Sequence, residues 1–478
     1  MMYFNVKNLG PHKYKNTVIE QVFSPYDNSE IGEVECINES DVENVIDIAS
    51  KAFLNSTLCS KENRIEIFNK VSAEIKAKAD FFSKLIALEG GKPLKDAQIE
   101  VSRAIEGLEM CASVIQTSHG KEIPMGVSEA SKSKVAFTQK FPVGPVFAIS
   151  AFNHPLNLIV HQIGPAIAAG CPIIIKPALD TPCSCYELIK LFYENGLPQE
   201  LCQMINTNDN NITQKFVMDT RISFLSFIGS AKVGWKLKSM MPPGCMCALE
   251  HGGVAPVVID KDYNYQNDLY KILRGAFYHA GQVCVSIQNI FVNKEIINNF
   301  SEEIVANAKK IKVGDPLSIE TDVGPLIRNQ EVNRVEKIVD ETLSSKMGEL
   351  LLGGKRISNS LFECTILRDT DPNSKVFKNE IFGPVINILE YDEMDDVINL
   401  INQSQFGFQS SLFSNNMHNI FYFYEKVQAK TVLINEQTAF RVDWMPFGGI
   451  KNSGEGEGGI FYSYEDMLYN KLLIIDKS

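Results

Sequence analysis

Short apolar runs alternate with segments of helical character between residues 144 and 230, and this alternation constrains the fold more than any other feature of the chain. Runs with the length and composition of buried strands lie at 146–149, 172–176, 201–205 and 222–228. Helical segments lie between them at 156–169 and 182–195. Strands that alternate with helices predict a parallel, doubly wound sheet, which binds ligands at the carboxyl ends of its strands.

The flanking regions add further helices and a second α/β stretch. Helical periodicity covers 40–78, 79–89 and 94–117, whereas 132–142 alternates as an extended strand does. From residue 269 onward the pattern predicts a helix before Cys284, a strand at 287–292, helices at 302–311 and 329–344, and a strand-like end to the tail 461–475. The predicted fold class is therefore α/β, with two doubly wound parallel sheets and a small β arm.

Length and charge limit the kinds of partner. A chain of 478 residues is too long for one compact core, so we expect two or three domains. The net charge of −12 argues against nucleic acids and anionic membranes as partners. The chain has no apolar run of about 18 residues, so no membrane span is expected. Its first residues lack the apolar stretch of a signal peptide, which favours a cytoplasmic location.

The cysteines indicate reduced thiols and no metal site. The chain has 11 of them, and none stands at the spacing of a zinc knuckle. Free thiols are typical of the cytosol.

Three polar residues stand in sequence surroundings that suit carbonyl chemistry. Cys284 is a candidate nucleophile, Glu250 a candidate base, and Asn153 a candidate amide donor. A thiolate adds to an aldehyde carbon, and loss of hydride to a nicotinamide leaves a thioester that a carboxylate-activated water can hydrolyse. The oxyanion of the adduct needs donors such as a side-chain amide and a backbone N–H. A buried core cysteine, a surface glutamate and a turn asparagine are the alternatives without a function.

These three residues, in this order, resemble the aldehyde dehydrogenase superfamily, and further motifs extend the resemblance over nearly the whole chain. The motifs lie at 141–146, 170–178, 229–234, 380–385 and 446–454. The resemblance implies a non-acylating enzyme that uses NAD or NADP and acts on an aldehyde. It assigns cofactor binding to Lys176, Gly229, Ser230, Glu380 and Phe382. A solvated strand end for Lys176, a surface charge for Glu380 and core packing for Phe382 are the alternatives.

The resemblance also implies how the chain divides and assembles. The expected division is a cofactor-binding domain at 1–120 and 142–251, a catalytic domain at 252–435, an oligomerisation arm at 121–141 and 455–478, and a loop at the substrate mouth at 436–454. Exposed strands seek partners, so a homodimer or homotetramer is expected.

Three positions depart from the family pattern. Leu179 stands where NAD-selective members carry a glutamate that repels a 2′-phosphate, so NADP use is expected at a measurable rate, and Asp180 could replace part of the charge. Asparagines occupy much of 206–211, where glycines are usual. His251 replaces the usual leucine, and it either tunes the pKa of Glu250 or caps the turn.

Arginines near the substrate mouth suggest an anionic aldehyde. Arg441 offers a two-pronged contact to a carboxylate, phosphate, phosphonate or sulfonate. Its alternative is an internal ion pair with Asp443 or Glu436. Arg103 is a second candidate, with an ion pair on its own helix to Glu100 or Glu106 as the alternative.

Two other functions compete with this interpretation. A coenzyme A-acylating relative would typically lack the glutamate, so Glu250 argues against it. A non-enzymatic relative that kept only the fold would not need Cys284, Glu250 and Asn153 together.

Overall fold

The computed structural model describes residues 2–15, 17–55 and 58–478. The first part of the chain, up to Glu250, supplies strands to three sheets. Its strands are β1 (Phe4–Val6), β2 (Val18–Phe23), β3 (Glu30–Cys36), β4 (Glu122–Ile123), β5 (Lys134–Pro142), β6 (Val146–Ile149), β7 (Ile173–Lys176), β8 (Cys202–Met204), β9 (Phe224–Ile228) and β10 (Met246–Glu250). Its helices are α1 (Val42–Leu54), α2 (Lys61–Ala77), α3 (Ala79–Gly90), α4 (Leu94–Thr117), α5 (Asn157–Ala169), α6 (Cys183–Glu194), α7 (Asn210–Met218) and α8 (Ala231–Lys238).

The second part of the chain, from residue 251 onward, forms another large sheet and also supplies strands to smaller pairings. Its strands are β11 (Val257–Ile259), β12 (Asn289–Asn293), β13 (Glu349–Leu352), β14 (Thr365–Arg368), β15 (Val385–Tyr391), β16 (Phe406–Gly407), β17 (Gln409–Phe413), β18 (Thr431–Ile434), β19 (Ile450–Lys451), β20 (Gly454–Glu455) and β21 (Leu468–Asp476). Its helices are α9 (Leu269–Phe277), α10 (Ile297–Ala308), α11 (Asn329–Ser344), α12 (Lys375–Lys378), α13 (Met394–Asn402), α14 (Met417–Lys426) and α15 (Ile460–Asp466).

The first large sheet has the order β20-β10-β9-β6-β7-β8, and all its pairs are parallel except that of β10 with β20. Successive side chains on a strand point to opposite faces. On β6, Val146 and Ala148 therefore pack in one core, and Phe147 and Ile149 pack in another. Helices cover both faces, which is the doubly wound arrangement predicted from the sequence.

The second large sheet has the order β13-β14-β15-β12-β11-β17-β18 and is parallel apart from its β13 edge. Ile290 and Val292 of β12 pack on one face, and Phe291 packs on the other. The predicted fold class, α/β with two doubly wound sheets, is confirmed.

The arm is a small sheet of order β21-β5-β4, in which β21 pairs antiparallel with β5 along its whole length. Helix α15 precedes β21 but packs into the first core through Ile460 and Tyr464. Within 455–478, β21 is the strand that pairs with β5. The domain bounds given above stay predictions.

Several element predictions need correction. The helical stretch 40–78 is two helices, since Ser60 caps α2 by accepting a hydrogen bond from the backbone of Asn63. Residues 56 and 57 of that stretch lie outside the described residues. The helix predicted at 302–311 begins earlier, at Ile297, because Ile297 and Phe300 are buried on the same face as Ile304. The N-terminal sheet of order β1-β3-β2 had no counterpart in the sequence analysis.

Candidate active site

Cys284, Glu250 and Asn153 meet in one cleft of about 560 Å³ between the two large sheets. Glu250 is the last residue of β10, and Asn153 follows the end of β6, so both lie at carboxyl ends of parallel strands. Cys284 lies in the turn before β12. The Sγ atom of Cys284 is 3.8 Å from Oε1 of Glu250.

The turn before Cys284 depends on a close backbone approach. Gly281 has a φ of +70°, and a Cβ there would lie 2.2 Å from the carbonyl oxygen of Gly383. Only glycine fits this position without displacing the neighbouring chain.

Asn153 is held against the cysteine turn. Its Nδ2 donates a 2.9 Å hydrogen bond to the carbonyl of Gln282, two residues before the thiol. Gln282 is itself fixed, because its Oε1 accepts from the backbone of Ile327 at 2.9 Å. The Asn153 amide is thereby positioned beside Cys284.

Burial disfavours the charged forms of both Cys284 and Glu250. It raises the pKa of the Cys284 thiol well above its ordinary value, and the nearby Glu250 carboxylate raises it further. Burial also raises the pKa of Glu250, although the Arg441 guanidinium opposes this shift. The thiol of the free protein is therefore protonated at neutral pH.

Both candidate arginines line the same cleft. Arg103 does not pair with Glu100 or Glu106, as its helical spacing suggested; it donates to Asp443 through Nε at 3.0 Å and a terminal nitrogen at 2.6 Å. Arg103 on α4 faces the loop that carries Asp443. This distant carboxylate, and not Glu100 or Glu106 on the same helix, is therefore its ion-pair partner.

Arg441 lies flat over the ring of Phe447, with its guanidinium carbon 3.6 Å from the ring centroid. Its Nε is 3.8 Å from Asp443, which corresponds to the internal pair considered above, and Glu436 is 3.8 Å from Lys271 instead. Two guanidinium groups thus share the Asp443 carboxylate, and the Glu250 carboxylate also acts on the charge of Arg441.

Sequence reasoning missed His161 and underrated Asp443. Nε2 of His161 lies 2.7 Å from Asp443, and Asn157 Nδ2 lies 3.4 Å from the same oxygen. Burial alone would raise the pKa of Asp443, but His161 and Arg103 outweigh it and hold that pKa well below its usual range. The available signal was the spacing of Asn153, Asn157 and His161 by four residues at the start of a largely apolar helix.

The residues assigned to the cofactor divide into four that line the cleft and one that does not. Gly229, Ser230, Glu380 and Phe382 line it. Lys176 ends β7 beside β6 but is absent from the described residues that line the cleft.

A nicotinamide dinucleotide suits these residues. Ser230 occupies the N-cap position of α8 without a side-chain capping hydrogen bond, and the N-terminus of this helix can bind a diphosphate. Glu380 packs against Gly252, and its Oε1 has no hydrogen-bond partner among the described residues, so it can accept from a ribose hydroxyl. Burial raises the pKa of Glu380 to about 7. Phe382, with a strained φ of 48°, meets Phe152 edge-to-face in the cleft.

The departures from the family pattern have local explanations. Leu179 packs against the first core, whereas Asp180 lines the cleft and accepts a 2.6 Å hydrogen bond from Arg328. Nδ1 of His251 donates a 2.9 Å hydrogen bond to the carbonyl of Asn452, and the ring packs against Gly234. This contact fits the turn-fixing role of His251.

Comparison with known proteins identifies the family. The model of the aldehyde dehydrogenase family matches residues 13–473. The chain belongs to the aldehyde dehydrogenase family. It is an NAD(P)-dependent aldehyde dehydrogenase, as the sequence motifs indicated.

Three similar proteins illustrate the range of the family. Lactaldehyde dehydrogenase of Methanocaldococcus jannaschii is 35% identical over 97% of this chain and 99% of its own. 3-Sulfolactaldehyde dehydrogenase of Priestia aryabhattai is 32% identical over 95% of this chain and 94% of its own. The crystal structure of glyceraldehyde-3-phosphate dehydrogenase GapN from M. jannaschii, complexed with NADP, is 34% identical with a TM-score of 0.91, over 96% of this chain and 99% of that one.

Two absences concern only the described residues. Among residues 2–15, 17–55 and 58–478, no group of His, Cys, Asp and Glu side chains could hold a metal ion. Over the same residues, no helix combines the length and the apolar character needed to cross a membrane.

Proposed function

We propose that this aldehyde dehydrogenase oxidises a small anionic aldehyde to its carboxylic acid through covalent intermediates on Cys284. The observation that carries the proposal is that Cys284, Glu250 and Asn153 line one cleft together with Arg103 and Arg441. The first three residues suit carbonyl chemistry, and the two arginines suit recognition of an anion.

The first step forms a thiohemiacetal. The S–H of Cys284 points toward Glu250 at 3.8 Å, so the carboxylate can take the thiol proton as sulfur attacks the aldehyde carbon. The raised pKa of Glu250 suits this transfer, since a base with a pKa nearer neutrality holds the proton more readily.

The oxyanion formed in this step receives hydrogen bonds from the chain. The amide of Asn153 has two hydrogens, and Gln282 accepts one of them. The second hydrogen and the backbone N–H of Cys284 are the donors we assign to the oxyanion.

When bound, the dinucleotide would supply a hydride acceptor for the thiohemiacetal carbon. Gly229, Ser230 and Glu380 would hold it, and Phe382 would pack beside the nicotinamide ring. The substrate is left as a thioester on Cys284.

Hydrolysis of the thioester completes the reaction. Glu250 first releases the thiol proton to solvent, which restores the carboxylate. It then removes a proton from water as the water oxygen attacks the thioester carbon, and the Cys284 thiolate leaves and takes up a proton. The same carboxylate thus serves both halves of the reaction. A coenzyme A-acylating enzyme would need no such base, so Glu250 disfavours that alternative.

An anionic group on the substrate is inferred from the two guanidinium groups. Arginine forms charge-assisted, two-pronged bonds to carboxylate, sulfonate or phosphate. The names of two relatives, 3-sulfolactaldehyde dehydrogenase and glyceraldehyde-3-phosphate dehydrogenase, specify anionic substrates, while lactaldehyde is neutral. The two arginines that line the cleft favour the anionic class here.

A panel of aldehydes with both cofactors tests this function. Sulfolactaldehyde, glyceraldehyde 3-phosphate and succinate semialdehyde would be compared with lactaldehyde and propanal, following NADH or NADPH. We expect the anionic members to have the higher kcat/KM. Equal or better turnover of the neutral members would refute the anionic substrate, and no turnover of any aldehyde would favour the non-enzymatic alternative.

NADP should be used at a measurable fraction of the NAD rate. Leu179 cannot repel a 2′-phosphate, and Asp180 is neutralised by Arg328. Initial rates with the two cofactors, titrated side by side on one aldehyde, check this expectation. Complete absence of NADP turnover would contradict it.

Assembly and location complete the proposal. We assign the edge of β21 to self-association into a dimer or tetramer, because Leu472, Leu473, Ile474 and Ile475 are all exposed there. Each of the 11 cysteines, all of them within the described residues, is a free thiol, which suits the reducing cytoplasm.

A further inference from the structure

We infer that His161 is a positioning residue for substrate recognition, which holds Arg441 turned toward the cleft by accepting a hydrogen bond from its guanidinium. The inference rests on the proposed anionic substrate. His161 is buried on α5, where neither the sequence motifs nor the lining of the main cleft singled it out.

The two ring nitrogens of His161 have partners of opposite hydrogen-bonding character. Nε2 lies 2.7 Å from a carboxylate oxygen of Asp443, and Nδ1 lies 3.4 Å from a terminal nitrogen of Arg441. An ionised carboxylate only accepts and a guanidinium only donates. Both contacts therefore require the same neutral tautomer, with the proton on Nε2 and the lone pair of Nδ1 facing Arg441.

The charges around His161 support this neutral state. Asp443 and Arg441 face it from the loop after β18, and Arg103 faces it from α4. Burial lowers the pKa of His161, and although Asp443 opposes the shift, the two arginines add to it. A proton on Nδ1 would also point directly at a cationic group.

His161 competes with Asp443 for Arg441. The Arg441 Nε is 3.8 Å from Asp443, longer than a hydrogen bond, and the guanidinium rests on the face of Phe447. Without the acceptor at Nδ1, a shorter ion pair with Asp443 becomes the best arrangement for Arg441. In that arrangement the guanidinium of Arg441 would pair with Asp443 and would no longer contact the substrate.

The expected consequence is a change in substrate binding without a change in chemistry. His161 does not line the cleft that holds Cys284, whereas Arg441 does. Loss of the histidine should raise KM for an anionic aldehyde about tenfold, which corresponds to one misplaced charge-assisted contact. The kcat for that aldehyde and both constants for a neutral aldehyde should stay within about twofold.

Two substitutions separate positioning from packing. His161→Leu removes both hydrogen-bonding atoms, while His161→Gln keeps one donor and one acceptor without a titratable ring. We expect His161→Leu to raise KM for the anionic aldehyde and His161→Gln to restore most of the wild-type value. Equal losses in both variants, or a fall in kcat instead of a rise in KM, would overturn the inference in favour of a merely structural role.

A spectroscopic measurement tests the tautomer directly. In the wild-type protein labelled with ¹⁵N-histidine, solid-state ¹⁵N spectra distinguish protonated from unprotonated ring nitrogens, and His161→Gln identifies the relevant signals by their loss. The expected state at neutral pH is a protonated Nε2 with an unprotonated Nδ1. The opposite tautomer or a doubly protonated ring would overturn the inference.

Failure of the inference is distinguishable from failure of the proposed function. If the wild-type enzyme shows no preference for anionic aldehydes, the proposed substrate is wrong. If it shows the preference and His161→Leu leaves KM unchanged, the substrate stands and the positioning role of His161 is wrong.

Discussion

The cleft holds two groups of polar residues that are arranged differently. The thiol end is Cys284 with Glu250 and Asn153, and the arginine end is Arg441 and Arg103 with their partner Asp443. At the thiol end, Cys284 and Glu250 are 3.8 Å apart, and burial favours the neutral form of both. At the arginine end, Asp443 is held ionised by His161 and Arg103 in a preformed network. Under the proposed function, the first arrangement suits a thiol that becomes charged only during the reaction, and the second suits arginines that are charged before a substrate binds.

This difference separates rate from selection. Changes at the thiol end should lower kcat for every aldehyde, because they affect the reacting atoms. Changes at the arginine end should alter the ratio of anionic to neutral substrates. Substitutions in each group test whether rate and selection are separate, and the largest effect is expected at the sulfur of Cys284.

Cys284→Ala should abolish the reaction. Without a sulfur nucleophile no thiohemiacetal forms, and we expect kcat to fall by at least about 10⁴-fold for anionic and neutral aldehydes alike. Steady-state rates measure the loss. Cys247→Ala is the matched control, since Cys247 is a half-buried thiol of β10 outside the cleft. Undiminished turnover by Cys284→Ala would end the covalent mechanism.

Glu250→Gln should block the hydrolytic half of the reaction more than the first half. Loss of the carboxylate also removes a charge that raises the pKa of the Cys284 thiol, which offsets part of the lost base catalysis in the first half. Loss of a general base lowers rates by about 10²- to 10⁴-fold. Rapid mixing should still show a burst of NADPH, followed by a very slow steady state. A variant that lost the burst entirely but hydrolysed a preformed thioester normally would contradict the assignment.

Arg441→Met should affect selection. Loss of hydrogen bonds to a charged group costs about 1.5–3 kcal/mol, so kcat/KM for an anionic aldehyde should fall roughly ten- to a hundredfold relative to its neutral analogue. Arg274→Met is the control, because Arg274 pairs with Asp96 and does not line the cleft. An unchanged ratio in Arg441→Met would reject the role of the arginine.

The same Arg441→Met substitution provides the smallest test, a pH effect that connects the two ends. Arg441 opposes the rise in the pKa of Glu250, so its removal should raise that pKa further. Glu250 acts as a base only when ionised, and hydrolysis is lost as pH falls through its pKa. The acid limb of single-turnover thioester hydrolysis should therefore move to higher pH in Arg441→Met. A shift to lower pH, or none, would show that the guanidinium does not influence the base.

The sequence predicted the two ends unequally, and the reason is physical. Asn153 and Glu250 follow strands of a parallel sheet, where the switch-point rule places ligand-binding groups, and Cys284 lies in a motif with known chemistry. Their convergence could be expected from the switch-point rule together with the resemblance to the family. The cores of both sheets were likewise encoded in apolar runs, such as β6 in the first sheet and β12 in the second.

The arginine network depends on contacts that no local pattern encodes. Spacing on α4 suggested Glu100 or Glu106 as partners for Arg103, but the partner is Asp443, 340 residues away. His161 stands on a helix whose apolar composition made it look like core. Long-range pairing between a helix and a late loop is decided by how the two parts of the chain pack, and that packing exists only in the folded molecule.

A direct test of the central claim is to trap the intermediate on its sulfur. Glu250→Gln would be mixed with an anionic aldehyde and NADP⁺, quenched in acid, and analysed by intact-protein and peptide mass spectrometry. The account predicts one acyl group per chain, on the peptide that contains Cys284. Product formation with that peptide unmodified, or an acyl group on another cysteine such as Cys247, would contradict it.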